Sequence, residues 1–338
     1  MKVGFDISQL AHQGGVATYT SNLTRHLSGV PWLDMVYFYS SFRKSYKGDL
    51  KNVKSFKLPP FLFEFLFNKW RKVQIENFIG SVDIFHSSDW TQPKSKAKKV
   101  TTYHDLVPLK YPEWSHPKIV EVHRRRLELV EKEIDMVIAV SETTKNDLME
   151  VSKIPGNKIV VIYEGPTTDF KVQTEVNIKK FKDKYNLPQK FLLAIGGIGE
   201  RKNMQRLKEA ANDYNLVIAG EALPYLVPEE LGLLYASAEA LIYPSLYEGF
   251  GLPILDGFAC GVPVLTSNVS SMPEVGGDAV LYADPYRVED IKEKIKIITG
   301  DESLRKELVK KGLERVKKFS WEKAAKETAE VYKQILNA

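Results

Sequence analysis

The sequence predicts an α/β protein of two domains, each organised around a parallel sheet. Three observations point there. The 338 residues exceed one domain at about 100–200 residues per domain. Short apolar runs, such as KVGFDI from Lys2, KIVVIY from Lys158 and LIY from Leu241, alternate with stretches of helical periodicity, the order expected of parallel α/β units. Several of these runs end in glycine-rich or polar turns just before a helix start, and ligands bind where such turns leave the carboxyl ends of parallel strands.

Composition narrows the class. Apolar residues at 43% and charged ones at 27% are ordinary for a globular protein. No apolar run reaches about 18 residues, and the chain enters a strand at Lys2 without a signal-peptide pattern. The single Cys260 excludes an intrachain disulfide and fits a reducing compartment, so a cytoplasmic protein is expected, working there or at the inner face of the membrane. Cys260 itself reads as a small buried residue. Charge is uneven: residues 1–165 hold 24 Lys and Arg against 18 Asp and Glu, a net of +6, and the remainder 24 against 25, a net of −1. The basic first half favours anionic partners.

Taken in order, Lys2 to Ile7 is the first strand. A loop ending in Gly14-Gly15 leads into a helix from Val16 to Leu27, where Val16, Tyr19, Leu23 and Leu27 share one apolar face. The Gly pair is a tight turn or a ligand loop; it is not the full G-x-G-x-x-G of dinucleotide enzymes. Met35 to Tyr39 is a second strand. Leu58 to Lys72, LPPFLFEFLFNKWRK, crowds Phe61, Phe63, Phe65, Phe67 and Trp70 beside Lys69, Arg71 and Lys72. Two readings stay open for it: a helix packed into the domain, or an amphipathic element whose rings enter a membrane interface while its cations meet headgroups.

Val82 to Ser87 and Val100 to Tyr103 are further strands, and the second delivers His104-Asp105. A lone His is usually structural, but one directly after a strand stands where α/β folds expose functional groups. The helix Lys118 to Glu133 puts His123 on the edge of its apolar stripe. Met136 to Val140 is a buried strand, and Ser141 reads as the cap of the helix after it. Lys158 to Tyr163 closes the first domain, and Glu164-Gly165-Pro166 breaks the chain there.

In the second domain, Phe191 to Ile195 ends in GGIGERKN, residues 196–203. Its glycines free the backbone, and Arg201 with Lys202 places two cations at a helix start, a cradle for a diphosphate. Leu216 to Ala219 is a strand, and a helix begins at Pro228. The stretch from Leu241 to Leu265 organises the rest: a strand stopped by Pro244, the turn Glu248-Gly249-Phe250-Gly251-Leu252-Pro253, a helix from Ile254 to Cys260, and a strand from Val262 to Thr266. Gly249 and Gly251 let backbone N–H groups approach a ligand, and the helix start offers donors to an anion. Glu248 and Asp256, eight positions apart, can aim two carboxylates at one polyhydroxyl ligand. A sugar or ribose joined to a phosphate fits that description.

This passage resembles the donor-site signature of retaining glycosyltransferases of family 4, E-x7-E within PSxxEGFGLPxLEAMAxGxPV. Asp256 stands where the family usually carries Glu. TYHDLVPLKYPEW resembles the HDL...PEW segment of many members, GGIGERKN holds the family's Arg-Lys-Asn, and SNVSSMPEVGGDAVLYADP and FSWE match as well. Glu164-Gly165-Pro166 departs from the usual Asn-Gly-Val. The likeness covers nearly the whole chain and is strongest from Leu192 to Pro285.

The resemblance implies the GT-B fold, two Rossmann-like domains facing a central cleft. Residues 1–165 would bind acceptor, 166–318 would bind the nucleotide sugar, and 319–338 would form a helix crossing back to the first domain. It implies a donor site of Gly14, Gly15, Gly197, Arg201, Lys202, Glu248, Gly249, Phe250, Gly251, Leu252 and Asp256. His104 would contact the donor sugar, Arg201 and Lys202 would neutralise the leaving nucleoside diphosphate, Glu248 would orient sugar hydroxyls and Asp256 the ribose. His104, Glu248, Arg201 and Lys202 form the expected catalytic set. Retention by front-face substitution, in which the departing phosphate oxygen takes the acceptor's proton, needs no separate base. With no Asp-x-Asp and no His/Cys cluster of metal spacing, a metal-independent site without cofactor is expected.

The HDL...PEW and EGFGLP combination looks most like the branch that builds mannose-containing polysaccharides. GDP-mannose is therefore the first expected donor, UDP-sugars the second, and the acceptor a glycan or lipid-linked glycan, with peripheral membrane contact. A nicotinamide-dependent oxidoreductase lacks its G-x-G-x-x-G and Tyr-x-x-x-Lys. A binding-only subunit is opposed by the intact Glu248, Arg201 and Lys202, and nucleic-acid binding has no reader motif.

Overall fold

Strands whose residues are apolar on both faces need cover on both faces, and this chain provides it twice. It divides into two compact units, Met1–Glu164 with Trp321–Ala338, and Gly165–Ser320. The computed structural model describes every residue except Gln13, Gly197, Ile198, Ala222, Pro224, Tyr225 and Ala338, and of Pro60 only the backbone.

Unit 1 holds seven parallel strands, β1 Lys2–Asp6, β2 Asp34–Ser40, β3 Val53–Phe56, β4 Ile84–Ser87, β5 Lys98–Tyr103, β6 Met136–Ala139 and β7 Ile159–Val161, in the order β3-β2-β1-β4-β5-β6-β7. Helix Gly15–Leu27 buries Tyr19, Leu23 and Leu27 of the expected stripe, with Val16 half-buried at its start. Ser141 accepts from the Thr144 N–H at 2.9 Å and caps helix Glu142–Val151. Helix Trp321–Asn337 belongs to this unit and packs on helix Gly15–Leu27 and on β5 and β6. Its Trp321 meets the Tyr19 ring edge-on at 5.7 Å, and its Tyr332 hydroxyl lies 2.7 Å from Nδ1 of His86.

The Leu58 to Lys72 segment is two short pieces, helix Pro60–Glu64 and a wider π-helical turn Phe65–Trp70 that ends at Arg71 in the left-handed region, φ 53°. The packed reading describes only a part of it. Phe63 and Phe67 are buried against Phe38, whereas Phe61 is 74% exposed and Trp70 48%, with Phe65 stacked on Trp70.

Unit 2 holds β8 Leu192–Ile195, β9 Leu216–Ala219, β10 Ala240–Tyr243, β11 Val264–Ser267 and β12 Leu281–Ala283, all parallel, in the order β12-β11-β10-β8-β9. Leu192, Ala194, Ile218, Ile242 and Leu265 form one core with Ile291, Ile295 and Ile298 of helix Val288–Gly300. β3 and β12 were not expected from the sequence. Both are short, partly exposed edge strands: Lys54 and Ser55 interrupt the first, and the second is only three residues long.

Strand order reverses between β1 and β4 in unit 1 and between β8 and β10 in unit 2. Loops diverge there and leave a crevice.

Candidate active site

β8 and β10 are neighbours at the unit 2 reversal, so the loops leaving them meet. The Leu246 N–H donates to the Arg201 carbonyl at 2.8 Å. Asn203 is buried in the left-handed region, φ 58°, and its Nδ2 donates to the carbonyls of Pro244 at 3.0 Å and Pro285 at 2.6 Å. One amide thus fixes the Arg201-Lys202 turn to the loops after β10 and β12.

Glu248 is buried beneath that turn. Its Oε2 accepts from Arg201 Nη1 at 2.6 Å and its Oε1 from Lys202 Nζ at 2.7 Å. Lys202 also donates to the Tyr243 hydroxyl at 3.0 Å. The Ser270 and Ser271 hydroxyls donate to the Glu248 carbonyl at 2.6 and 2.9 Å, and Ser271 also to the Phe250 carbonyl at 2.6 Å. Burial alone would raise the Glu248 carboxyl, but the Lys202 and Arg201 charges outweigh it and bring it down to about 2. Burial likewise disfavours charge on Lys202, and Tyr243 and Glu248 outweigh that and hold it above the ordinary lysine range. Tyr243 is pushed up to about 12, first by burial and then by Glu248. At neutral pH the cluster therefore holds two cations, one carboxylate and a neutral phenol, with one positive charge in excess.

The signature turn continues through Gly249, Phe250 and Gly251 into helix Leu252–Ala259, whose cap Gly251 has φ 111°, a conformation that calls for glycine. Asp256 is buried on this helix, and Thr167 occupies both its oxygens, the N–H donating to Oδ1 at 2.7 Å and the hydroxyl to Oδ2 at 3.0 Å. Gly197 lies outside the described residues. Cys260 is buried and burial pushes its thiol up, as a small packing residue requires.

In unit 1, Gly14 caps helix Gly15–Leu27 at φ 117°, and a Cβ on Gly14 or Gly15 would meet nothing within 4 Å. The space at that helix start is open. His104 follows β5 with a side chain 14% exposed; its Nδ1 lies 3.7 Å from Oε1 of buried Glu164, and its ring meets Tyr19 edge-on at 4.5 Å. Asp105 accepts from the Val107 N–H at 3.0 Å and so shapes the loop. At the β1/β4 reversal, Asp6 ends β1 fully buried and is pushed up to about 6, by burial first and by the charge of Asp89 last. Asp89 accepts from Gln9 Nε2 at 3.0 Å. His123 packs edge-on against Trp90 at 5.8 Å, the core-edge place its stripe implied.

Sequence reasoning brought out Arg201, Lys202 and Glu248, and the structure brings these three together. It passed over Asn203, Tyr243, Ser270, Ser271, Thr167 and the facing of Glu164 toward His104. Asn203 had a signal, the Asn that follows Arg-Lys; the serines looked like turn residues. Among the described residues, no three His, Cys, Asp or Glu side chains converge as metal ligands.

Two parallel α/β units with polar loops at both strand-order reversals, and in the second a half-buried cation pair held on buried Glu248, have the architecture of a GT-B glycosyltransferase. Sucrose-phosphate synthase from Thermosynechococcus elongatus matches with TM-score 0.79 at 18% identity over 99% of both chains. Anabaena Alr3699/HepE in complex with UDP-glucose matches at 0.74 and 14%, over 99% of this chain and 100% of that one. Residues 144–315 match the family described as Glycosyl transferases group 1, and residues 13–170 that described as Glycosyltransferase Family 4. O-antigen chain mannosyltransferase B of Escherichia coli is 32% identical over 290 residues, 75% of this chain and 74% of that protein. The serotype-specific mannosyltransferase WbdA of Escherichia coli is 28% identical over 277 residues, 71% of this chain but 34% of WbdA. The chain belongs to the family 4, group 1 glycosyltransferases, as its signature implied.

Proposed function

We propose that the protein transfers a hexose, mannose first, from a nucleoside-diphosphate sugar to a glycan or lipid-linked acceptor in polysaccharide synthesis, with retention at the anomeric carbon. The observation that carries this is the half-buried pair Arg201 and Lys202, held on buried Glu248 at the β8/β10 reversal, with its excess positive charge. As the bond between sugar and phosphate lengthens, negative charge grows on the leaving diphosphate, and cations already fixed in place stabilise it without reorganising. Glu248 accepts hydrogen bonds only, so it cannot bind phosphate; it holds the two cations in register and can take up a sugar hydroxyl. The leaving oxygen accepts the acceptor's proton, so neither a metal nor a separate base is needed. Asp256 is the second carboxylate of the signature, and its role is to accept from the ribose. The mannosyltransferase relatives support mannose and hence GDP-mannose as donor.

Among the described residues, no helix is long and apolar enough to cross a membrane. The exposed Phe61, Phe65 and Trp70, with Lys69 and Lys72 exposed beside them, support peripheral contact with an anionic bilayer at the inner face of the membrane, where a lipid-linked acceptor would lie.

The test is thermal unfolding with GDP, UDP, ADP and NAD, since a ligand specific for the native state stabilises it by mass action. Stabilisation by GDP that shrinks in Lys202→Ala is the expected result, and UDP in its place would move the donor to a UDP-sugar. Stabilisation by NAD alone, or by nothing, would overturn the reading.

A further inference from the structure

Glu164 is the last residue of unit 1 before Gly165, is 5% exposed, and stands where the chain departs from the usual Asn-Gly-Val. Among the described residues His104 is the only cationic or potentially cationic group within 4.0 Å of it, and Glu164 is the only carboxylate within that distance of His104. A carboxylate out of water needs a partner, and here it has one ring nitrogen. The ring cannot easily turn away: Tyr19 meets it edge-on, and the Tyr19 hydroxyl is tied to Thr102 Oγ1 at 3.0 Å. Other groups face His104 from farther off, namely Asp89 after β4 and His86 on β4, while Arg126 of helix Pro117–Glu133 acts on both of these. Only Glu164 addresses a particular nitrogen.

The geometry points to Glu164 as a positioning residue that holds the proton of neutral His104 on Nδ1, leaving Nε2 as a hydrogen-bond acceptor for a sugar hydroxyl. Neutral imidazole carries one N–H, and the partner of one nitrogen decides the role of the other. At 3.7 Å the pair is longer than a hydrogen bond of about 3 Å, as such contacts often are before substrate tightens them. The glycosyltransferase reading enters only in making the hydroxyl a sugar's.

The test is ¹⁵N NMR of the full chain labelled at histidine, with His104 assigned by His104→Ala, at a pH where imidazole is neutral. The wild type is expected to show the proton on Nδ1. Glu164→Leu is expected to revert to the Nε2–H form that free imidazole prefers, and Glu164→Gln, which keeps an acceptor oxygen, to retain Nδ1–H. A wild-type His104 protonated on Nε2, or the same tautomer in Glu164→Leu, overturns the proposal; if Glu164→Leu does not fold, the wild-type spectrum decides. Because the spectrum needs no substrate, it stands apart from any failure of the transferase assay. Where turnover is measured, Glu164→Leu should lower kcat at least tenfold with nucleotide affinity unchanged, and an unchanged kcat counts against the role.

Discussion

Thr167 bonds both carboxylate oxygens of Asp256, from its N–H at 2.7 Å and its hydroxyl at 3.0 Å. Thr167 lies just inside unit 2, which starts at Gly165, so the pair ties the beginning of the unit to the helix behind the signature turn. Removing the carboxylate takes that partner from two donors, at about 1–3 kcal/mol. Asp256→Ala is expected to lower unfolding stability by about 2–3 kcal/mol and Thr167→Val by about 1 kcal/mol, with strong coupling in the double variant. Urea unfolding measures all three; an unchanged Asp256→Ala midpoint would leave Asp256 with no structural duty.

Lys202→Ala removes one of two cations while Arg201 still pairs Glu248. Nucleoside diphosphate affinity should fall about tenfold to a hundredfold, the equivalent of roughly 1.5–3 kcal/mol for a charged hydrogen bond. Calorimetric titration reads it, and equal affinities would detach Lys202 from the phosphate.

Acid should reveal two opposed groups in unit 1. Burial first, then the charges of His104 and Arg126, push His86 down to about 3 from an ordinary 6.5, so between those values the unfolded chain binds the extra proton and stability falls as pH falls. Asp6, at about 6 against 3.8, binds its proton first in the folded state, and stability rises as pH falls through that interval. The two nearly offset one another in the wild type. His86→Gln removes the first, so on going from about pH 6.5 to about pH 4.5 it should gain on the order of 2 kcal/mol relative to the wild type. Parallel Tm curves for the two proteins would refute the pairing.

Asn203 has a left-handed backbone and an amide that joins three loops. Asn203→Ala loses both bonds and strains the backbone, so it should cost about 2–4 kcal/mol. Asn203→Gly keeps the conformation and should cost less. If both cost the same, the strain term is absent.

The aromatic face of unit 1 predicts that Phe61→Ser combined with Trp70→Ser reduces co-sedimentation with anionic vesicles severalfold, since its rings are 74% and 48% exposed. Thermal stability should barely change. Equal partition of wild type and variant would remove the membrane contact.

Most of the architecture was written in local pattern. Among the described residues twelve strands form the two sheets, and ten were legible as short runs rich in apolar, β-branched or aromatic residues between turn signals. Val53–Phe56 was not, because an edge position tolerates Lys54 and Ser55, and Leu281–Ala283 was not, because three residues are too few to show a period. The site divided in the same way. Arg201, Lys202 and Glu248 sat in motifs whose chemistry could be named from residue type and spacing. That Glu248 bonds both cations, that Thr167 holds Asp256, and that Glu164 faces His104 depends on long-range pairing, which spacing along a chain does not encode.

Helix Trp321–Asn337 covers Tyr19 and sends Tyr332 to His86, yet it is made after all of unit 2. On the ribosome the seven strands of unit 1 emerge with that face bare. At about 5–20 residues per second they stay so for roughly 10–30 s while the intervening unit is synthesised. A nascent chain that displays an unfinished core for so long is a natural client for a holdase chaperone, and its first unit matures only when its last helix has left the tunnel.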